Sequence, residues 1–191
     1  MSRIITVQRR RLPNTRSVPS TRSVPNIRSV NMFRQQRTEM TNFVDQSIVP
    51  LLDSSIIRSI ALKAPVKSGK REIVEYLASL DNLPNQLESR RKHVFISAFH
   101  RTADNIQRAE LQQYGLDVFS VTTRANAVKC ISRVNELIAN GDSIVIHLDE
   151  ADHGSGVRQI MSNVWGTIKN IDVVFVILYS ATIEEARYVD A

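Results

Sequence analysis

Three short stretches carry the residue types that could do chemistry. The first is Asp149-Glu150-Ala151-Asp152, directly after the apolar run Ile144-Val145-Ile146. A carboxylate such as Asp149 can hold magnesium, directly or through water, because hard cations take oxygen ligands. A neighbouring carboxylate such as Glu150 can orient a water and take its proton. The second is Ala64-Pro65-Val66-Lys67-Ser68-Gly69-Lys70, a tight loop with a helix expected to start at about Lys70. Backbone N–H groups at a helix start point at an anion, and the helix dipole adds to their effect. The third is Ser180-Ala181-Thr182, after the apolar Val173–Tyr179 run.

Each stretch also has a plain reading. Acids after a strand form solvated turns, Gly-Lys pairs open many helices, and Thr182 could cap a turn containing Glu184 and Glu185. The usual phosphate-loop pattern is G-x-x-x-x-G-K-[ST], whose hydroxyl ligates magnesium. Here Ala64 replaces the first glycine, Arg71 stands where the hydroxyl belongs, and Lys67 adds a charge inside the loop. His147 and His153 have no further His or Cys near them in the sequence, so they do not read as a metal site.

The three stretches gain weight from the elements that must position them. Met40, Phe43, Val44 and Ile48 recur at helical spacing, and Ile56–Lys63 reads as a strand. Ile73, Val74, Leu77 and Ala78 share one helical face, followed by a strand over His93–Phe99. A helix from about Thr102 to Gln113 stops at Gly115, and a strand follows from Asp117. Thr123 is placed to cap the next helix, where Val128, Ile131, Val134 and Ile138 recur until Gly141. A strand leads to Leu148, a helix is expected over Val157–Ile168, and the last strand ends at Ser180. Strand and helix alternate five times, which predicts an α/β fold with a parallel sheet and helices on both faces. Ligands of such sheets sit beyond the carboxyl ends of the strands. All three stretches lie at such ends.

The net charge of +6 is unevenly distributed. Residues 1–38 hold nine arginines and no acid, which leaves the rest of the chain at −3. Within this segment Thr-Arg-Ser-Val-Pro units repeat with a six-residue period, and Pro19 and Pro25 disfavour helix. So few apolar groups cannot offset the entropy of ordering, so residues 1–34 are expected to be a disordered tail and 35–191 the folded domain. Arg9, Arg10, Arg11, Arg16, Arg22 and Arg28 could neutralise nucleic-acid phosphates and release counterions. The Arg- and Ser-rich, acid-poor composition also fits an organelle-targeting peptide, although the prolines break any amphipathic helix. The plain alternative is a solvated extension.

One cysteine, Cys130, excludes an internal disulfide and fits a reducing compartment. The Val173–Tyr179 run is far shorter than the ~20 residues a membrane helix needs. No apolar secretory segment opens the chain. The expectation is a soluble intracellular protein of cytoplasm or nucleus, with no membrane partner.

Read together, "APVKSGK", "LDEAD" and "YSAT" resemble the first motor domain of superfamily 2 helicases. "VFISAFHRTADNIQRAELQQYG" occupies the place of that family's first nucleic-acid-contacting motif. The resemblance spans about Ile56 to Thr182 and implies a RecA-like P-loop domain that uses ATP and magnesium. It would assign Ala64, Pro65, Val66, Lys67, Ser68, Gly69, Lys70 and Arg71 to the nucleotide. Lys70 would meet the β/γ-phosphates, Asp149 the magnesium ion, and Glu150 would be the catalytic base. Asp152, Ser180 and Thr182 would couple the site to DNA or RNA. "SGKR" and "HGSG" look more like helicase-like proteins of large DNA viruses and phages than like DEAD-box RNA helicases.

Helicases of this superfamily need a second motor domain, and the chain ends nine residues after Thr182. The expected function is thus an ATP-binding helicase-type domain that works with a second domain or partner protein in trans. A degenerate, non-hydrolysing adaptor for nucleic acid or protein is the alternative, favoured by Arg71. A small-molecule kinase is a third reading. The Ser-Ala-Thr and acidic motifs argue against it, as does the lack of a lid-like Arg cluster in the body.

Overall fold

The computed structural model describes residues 2–6, 27–52, 54, 57–63, 69–82, 91–97, 104–149, 160–168 and 171–180. Five parallel strands form the body of the sheet: β2 (Ser59–Lys63), β3 (Lys92–Ser97), β4 (Asp117–Ser120), β5 (Ile144–Asp149) and β6 (Val174–Ser180). A sixth, β1 (Ser2–Thr6), pairs in parallel with β2 at the edge, giving the order β1-β2-β6-β5-β3-β4. The helices are α1 (Ile27–Ser47), α2 (Val49–Leu52), α3 (Lys70–Asp81), α4 (Asp104–Gln113), α5 (Arg124–Ala139) and α6 (Ile160–Ile168).

Period-two alternation sorts the strands onto two layers. In β5, Ile144, Ile146 and Leu148 join one core with Cys130 and Val134 of α5 and Val164 and Trp165 of α6. The intervening Val145 joins the other core, with Ile73, Val74 and Leu77 of α3, Leu111 of α4 and Val44 of α1. Helices therefore cover both faces, as the alternation of elements predicts. The chain steps outward from β2 to β3 and β4 with α3 and α4 on one face. It then returns to β5 and β6 with α5 and α6 on the other. That reversal makes β3 and β5 neighbours whose following helices lie on opposite faces, a switch point of the kind where ligand crevices open.

Local signals act where they were expected. Thr123 Oγ1 accepts a 3.2 Å hydrogen bond from the Asn126 N–H and caps α5. Gly115 and Gly141 have φ of 77° and 82°, in the left-handed region that glycine enters freely, and end α4 and α5.

Two expectations for the N-terminal segment are corrected. Residues 2–6 are a strand rather than disordered chain, because β2 offers them a parallel edge with Thr6 opposite Lys63. Residues 27–34, including Arg28, belong to α1, a 21-residue helix that starts well before Gln35. The C-terminal part of that helix packs Val44 into the core, and Ile48, just beyond its end, joins it there. Residues 7–26, with Arg9, Arg10, Arg11, Arg16 and Arg22, lie outside the described residues. Among the described residues, no helix is long and apolar enough to cross a membrane.

Candidate functional site

The carboxyl ends of β2, β6, β5 and β3 line up in the sheet. Lys63 stands opposite Ser180, Tyr179 opposite Asp149, and Asp149 opposite Ser97. Above this edge, α3 begins at Lys70. Gly69 precedes it with φ 88° and ψ 21°, a left-handed conformation that costs other residues about 1–2 kcal/mol. Among the described residues a Cβ at Gly69 would meet the Glu72 carboxylate alone, with Oε2 at 3.5 Å, an ordinary contact, so the demand for glycine comes from the backbone. Gly69 brings no side chain to cap α3, so the helix start is not closed by its own cap residue.

Lys70 extends from this start to Asp149. Its Nζ lies 3.9 Å from Asp149 Oδ1, with the lysine side chain 14% and the aspartate 24% exposed. The two residues are 79 positions apart and come from strand ends separated by β6. Their approach is a product of the fold rather than of local sequence. A cation and an anion held together on a strand-end crevice can each be drawn onto a ligand of opposite charge, lysine to phosphate and aspartate to a divalent cation.

Arg71 is engaged by two carboxylates. Its Nε donates to Glu75 Oε1 at 2.6 Å, and its Nη2 pairs with Glu110 of α4. Burial works against its charge, but the bonds to Glu75 and Glu110 outweigh this and raise its pKa further. The guanidinium thus ties α3 to α4, and its charge is neutralised within the helical layer. No hydroxyl takes its place in the chain next to Lys70.

Ser180 is fully buried at the end of β6. Strand alternation puts it on the face opposite Asp149 and Tyr179. Ala64, Pro65, Val66, Lys67, Ser68, Glu150, Asp152, Thr182 and His153 lie outside the described residues. Of the expected site, the structure therefore brings together Lys70 and Asp149 beside Gly69, and pairs Arg71 with Glu75 and Glu110.

A second polar group was not foreseen. His93 on β3, His147 on β5 and Tyr179 on β6 form a buried chain beneath α3. His93 Nδ1 is 2.9 Å from His147 Nε2, and His147 Nδ1 is 2.9 Å from the Tyr179 hydroxyl. His93 Nε2 lies 2.8 Å from Asp81 Oδ2, and Arg91 Nε donates to the same carboxylate at 3.1 Å. Burial alone would raise the Asp81 pKa, but the bonds from His93 and Arg91 prevail and lower it. Burial, aided by the nearby His93, keeps the His147 pKa well below the usual histidine range. Burial, then the Asp149 charge, pushes the Tyr179 phenol well up. The sequence signal was a histidine inside "IVIHL", where an apolar residue belongs. Its partner His93 is 54 residues away and becomes a neighbour only once β3 pairs with β5. Among the described residues, no group of three or more His, Cys, Asp or Glu could hold a metal ion.

Comparison with protein-family models, curated proteins and solved structures returned no match to this chain.

Proposed function

We propose that the chain is an ATP-binding, helicase-type domain that couples nucleotide to DNA or RNA and works with a second motor domain in trans. The observation that carries this reading is the Lys70–Asp149 pair beside a left-handed glycine at the start of α3. With a triphosphate present, Lys70 would turn to its terminal phosphates and Asp149 to the accompanying magnesium ion. Gly69 lets the backbone approach the phosphates, and the α3 dipole favours their charge. Where the two residues now neutralise each other, a magnesium–phosphate pair satisfies both. The adjacent Glu150 would activate water, and Asp152, Ser180 and Thr182 would relay nucleotide state to nucleic acid. The parallel α/β sheet, with Lys70 and Asp149 at its carboxyl edge, supports the RecA-like assignment.

One observation favours a second reading. Arg71 stands where a hydroxyl would ligate magnesium, and Glu75 and Glu110 hold it. A domain built this way binds nucleotide with one protein ligand fewer for the metal, as a non-hydrolysing adaptor would.

Calorimetry of magnesium-ATP binding separates the readings, using the wild type and Lys70→Ala with and without single-stranded nucleic acid. The proposal expects binding that Lys70→Ala abolishes. Absence of binding at millimolar ATP, with nucleic acid still bound, would leave the adaptor. Burst-free ATP binding with no phosphate release in any condition would favour a non-hydrolysing domain, and Arg71→Thr should then strengthen the magnesium dependence.

A further inference from the structure

The helix that carries Lys70 is held to the sheet by polar contacts at both ends. At its N-terminus Lys70 meets Asp149. At its C-terminus Asp81 meets His93, with Arg91 as a second partner. From the Asp81–His93 contact a hydrogen-bonded line runs beneath the helix through His147 to Tyr179, which stands opposite Asp149 in the sheet.

The joining line follows from strand register. Phe95 stands opposite His147, and Asp149 stands opposite Tyr179. Each step of the line, from His93 to His147 to Tyr179, moves one strand across and two residues toward the carboxyl edge. It ends with the Tyr179 ring on the strand position beside Asp149, on the same face. The ring hydroxyl reaches back to His147. Asp149 thus has its neighbour's ring fixed by a bond to its own strand.

The direction of the hydrogen bonds is also determined if both imidazoles are neutral. A carboxylate only accepts, so His93 donates from Nε2 to Asp81 and must accept at Nδ1. His147 then donates from Nε2 to His93 and accepts at Nδ1 from the Tyr179 hydroxyl. Every donor points from the Asp149 end toward Asp81. Such a chain satisfies each buried polar atom once, and breaking any link strands its neighbours.

We propose that the line Tyr179–His147–His93–Asp81 is a positioning device that sets α3, and with it Lys70, against Asp149. Tyr179, His147 and His93 are positioning residues on this view, since none needs to touch a ligand. The inference rests on the nucleotide reading for its purpose. The coupling itself does not: a change at Asp149 should be felt at buried imidazoles that carry no ligand. When a phosphate draws Lys70 from Asp149, the Asp81 end of α3 stays anchored, so any shift is confined to the helix start.

The test uses the full chain and has two arms. In the first, the imidazole nitrogen resonances of His93 and His147 are compared between wild type and Asp149→Asn without any ligand. Both histidines should show the Nε2–H tautomer in the wild type, and the His147 nitrogens should move in Asp149→Asn. Unchanged resonances, or a His147 Nδ1–H tautomer, overturn the proposal. In the second, magnesium-ATP affinity is measured for Tyr179→Phe, for Lys70→Arg, which keeps the charge and so a measurable affinity, and for the double variant. Tyr179→Phe should weaken binding about tenfold, and the two effects should fall short of additivity in the double variant. Strict additivity overturns the proposal, because an independent packing defect behaves that way. If the wild type binds no ATP, the nucleotide reading fails and the first arm still decides the coupling. If Tyr179→Phe does not fold, the first arm, which leaves the line intact, decides it as well.

Discussion

The two faces of the sheet are built from the same strands and differ in kind. On one side, Val94, Ile96, Ile146, Leu148, Val176 and their neighbours pack against α5 and α6 with apolar groups. There the Cys130 thiol is pushed up to about 12, by burial first and then by the charge of Asp117, and is an inert filler of the core. On the other side, the alternate residues of β3, β5 and β6 include His93, His147, Asp149 and Tyr179 among apolar ones. The first face is held by area and close packing. The second is held by those and by bonds that have one correct arrangement. The proposed site at the strand ends thus lies on the face that can specify position, since apolar packing alone tolerates small slips that a hydrogen-bonded line does not.

The largest expected effect breaks the first face. Ile146→Ala removes a fully buried side chain between α5, α6 and the neighbouring strands and should cost about 2–5 kcal/mol of stability. Chemical denaturation would measure it. Lys70–Asp149 lies on the opposite face, so any ligand affinity that survives at low denaturant should be unchanged. A loss of ligand affinity as large as the loss of stability would show that the faces do not act separately.

A smaller change sharpens the comparison. Tyr179→Phe removes one hydroxyl and leaves His147 Nδ1 without this donor in a fully buried site, which should cost about 1–3 kcal/mol. Ile146→Val, a comparable trimming on the apolar face, should cost about 0.5–1.5 kcal/mol. Denaturation curves for the two variants give the ratio. Equal costs would mean that the hydroxyl contributes only its volume.

Much of the first face was legible in the sequence, and little of the second. The apolar runs of β5 and β6 and the helical spacing of Val134 and Ile138 in α5 are local patterns that survive folding unchanged. The Thr123 cap is a short-range bond between residues three apart and is readable for the same reason. Lys70 and Asp149 were chosen on residue type, and the sheet order puts them within reach across β6. His93 and Asp81 were invisible. Their roles depend on β3 lying next to β5 rather than next to β2, an order that no local pattern encodes. Ser2–Thr6 was missed because five residues with two isoleucines make a strand only when an existing edge accepts them. Arg71 was read as a site residue from its place beside Lys70. Its rotation toward Glu75, one turn along α3, and Glu110 follows from helical geometry plus the packing of α4.

The smallest effect concerns acid, and it should arise on the polar face alone. His147 is neutral in the folded protein because burial, then His93, lowers its pKa well below 6.5. In the unfolded chain it takes a proton near the ordinary histidine value of about 6.5. Below that pH the unfolded state binds more protons than the folded one, so stability falls as pH drops, by at most about 1.4 kcal/mol per pH unit for this one group. Asp81 acts in the same direction in a lower window. Its folded pKa is depressed, so the stability from its bonds is full above about pH 4 and is lost as pH falls through the folded value. Denaturation midpoints between pH 7.5 and 5 should therefore decline, and the decline over this range should disappear in His147→Gln, whose side chain does not titrate. A decline that persists unchanged in His147→Gln would assign the acid sensitivity elsewhere. It would also remove the reason to treat the buried imidazole as the neutral link on which the order of the polar face depends.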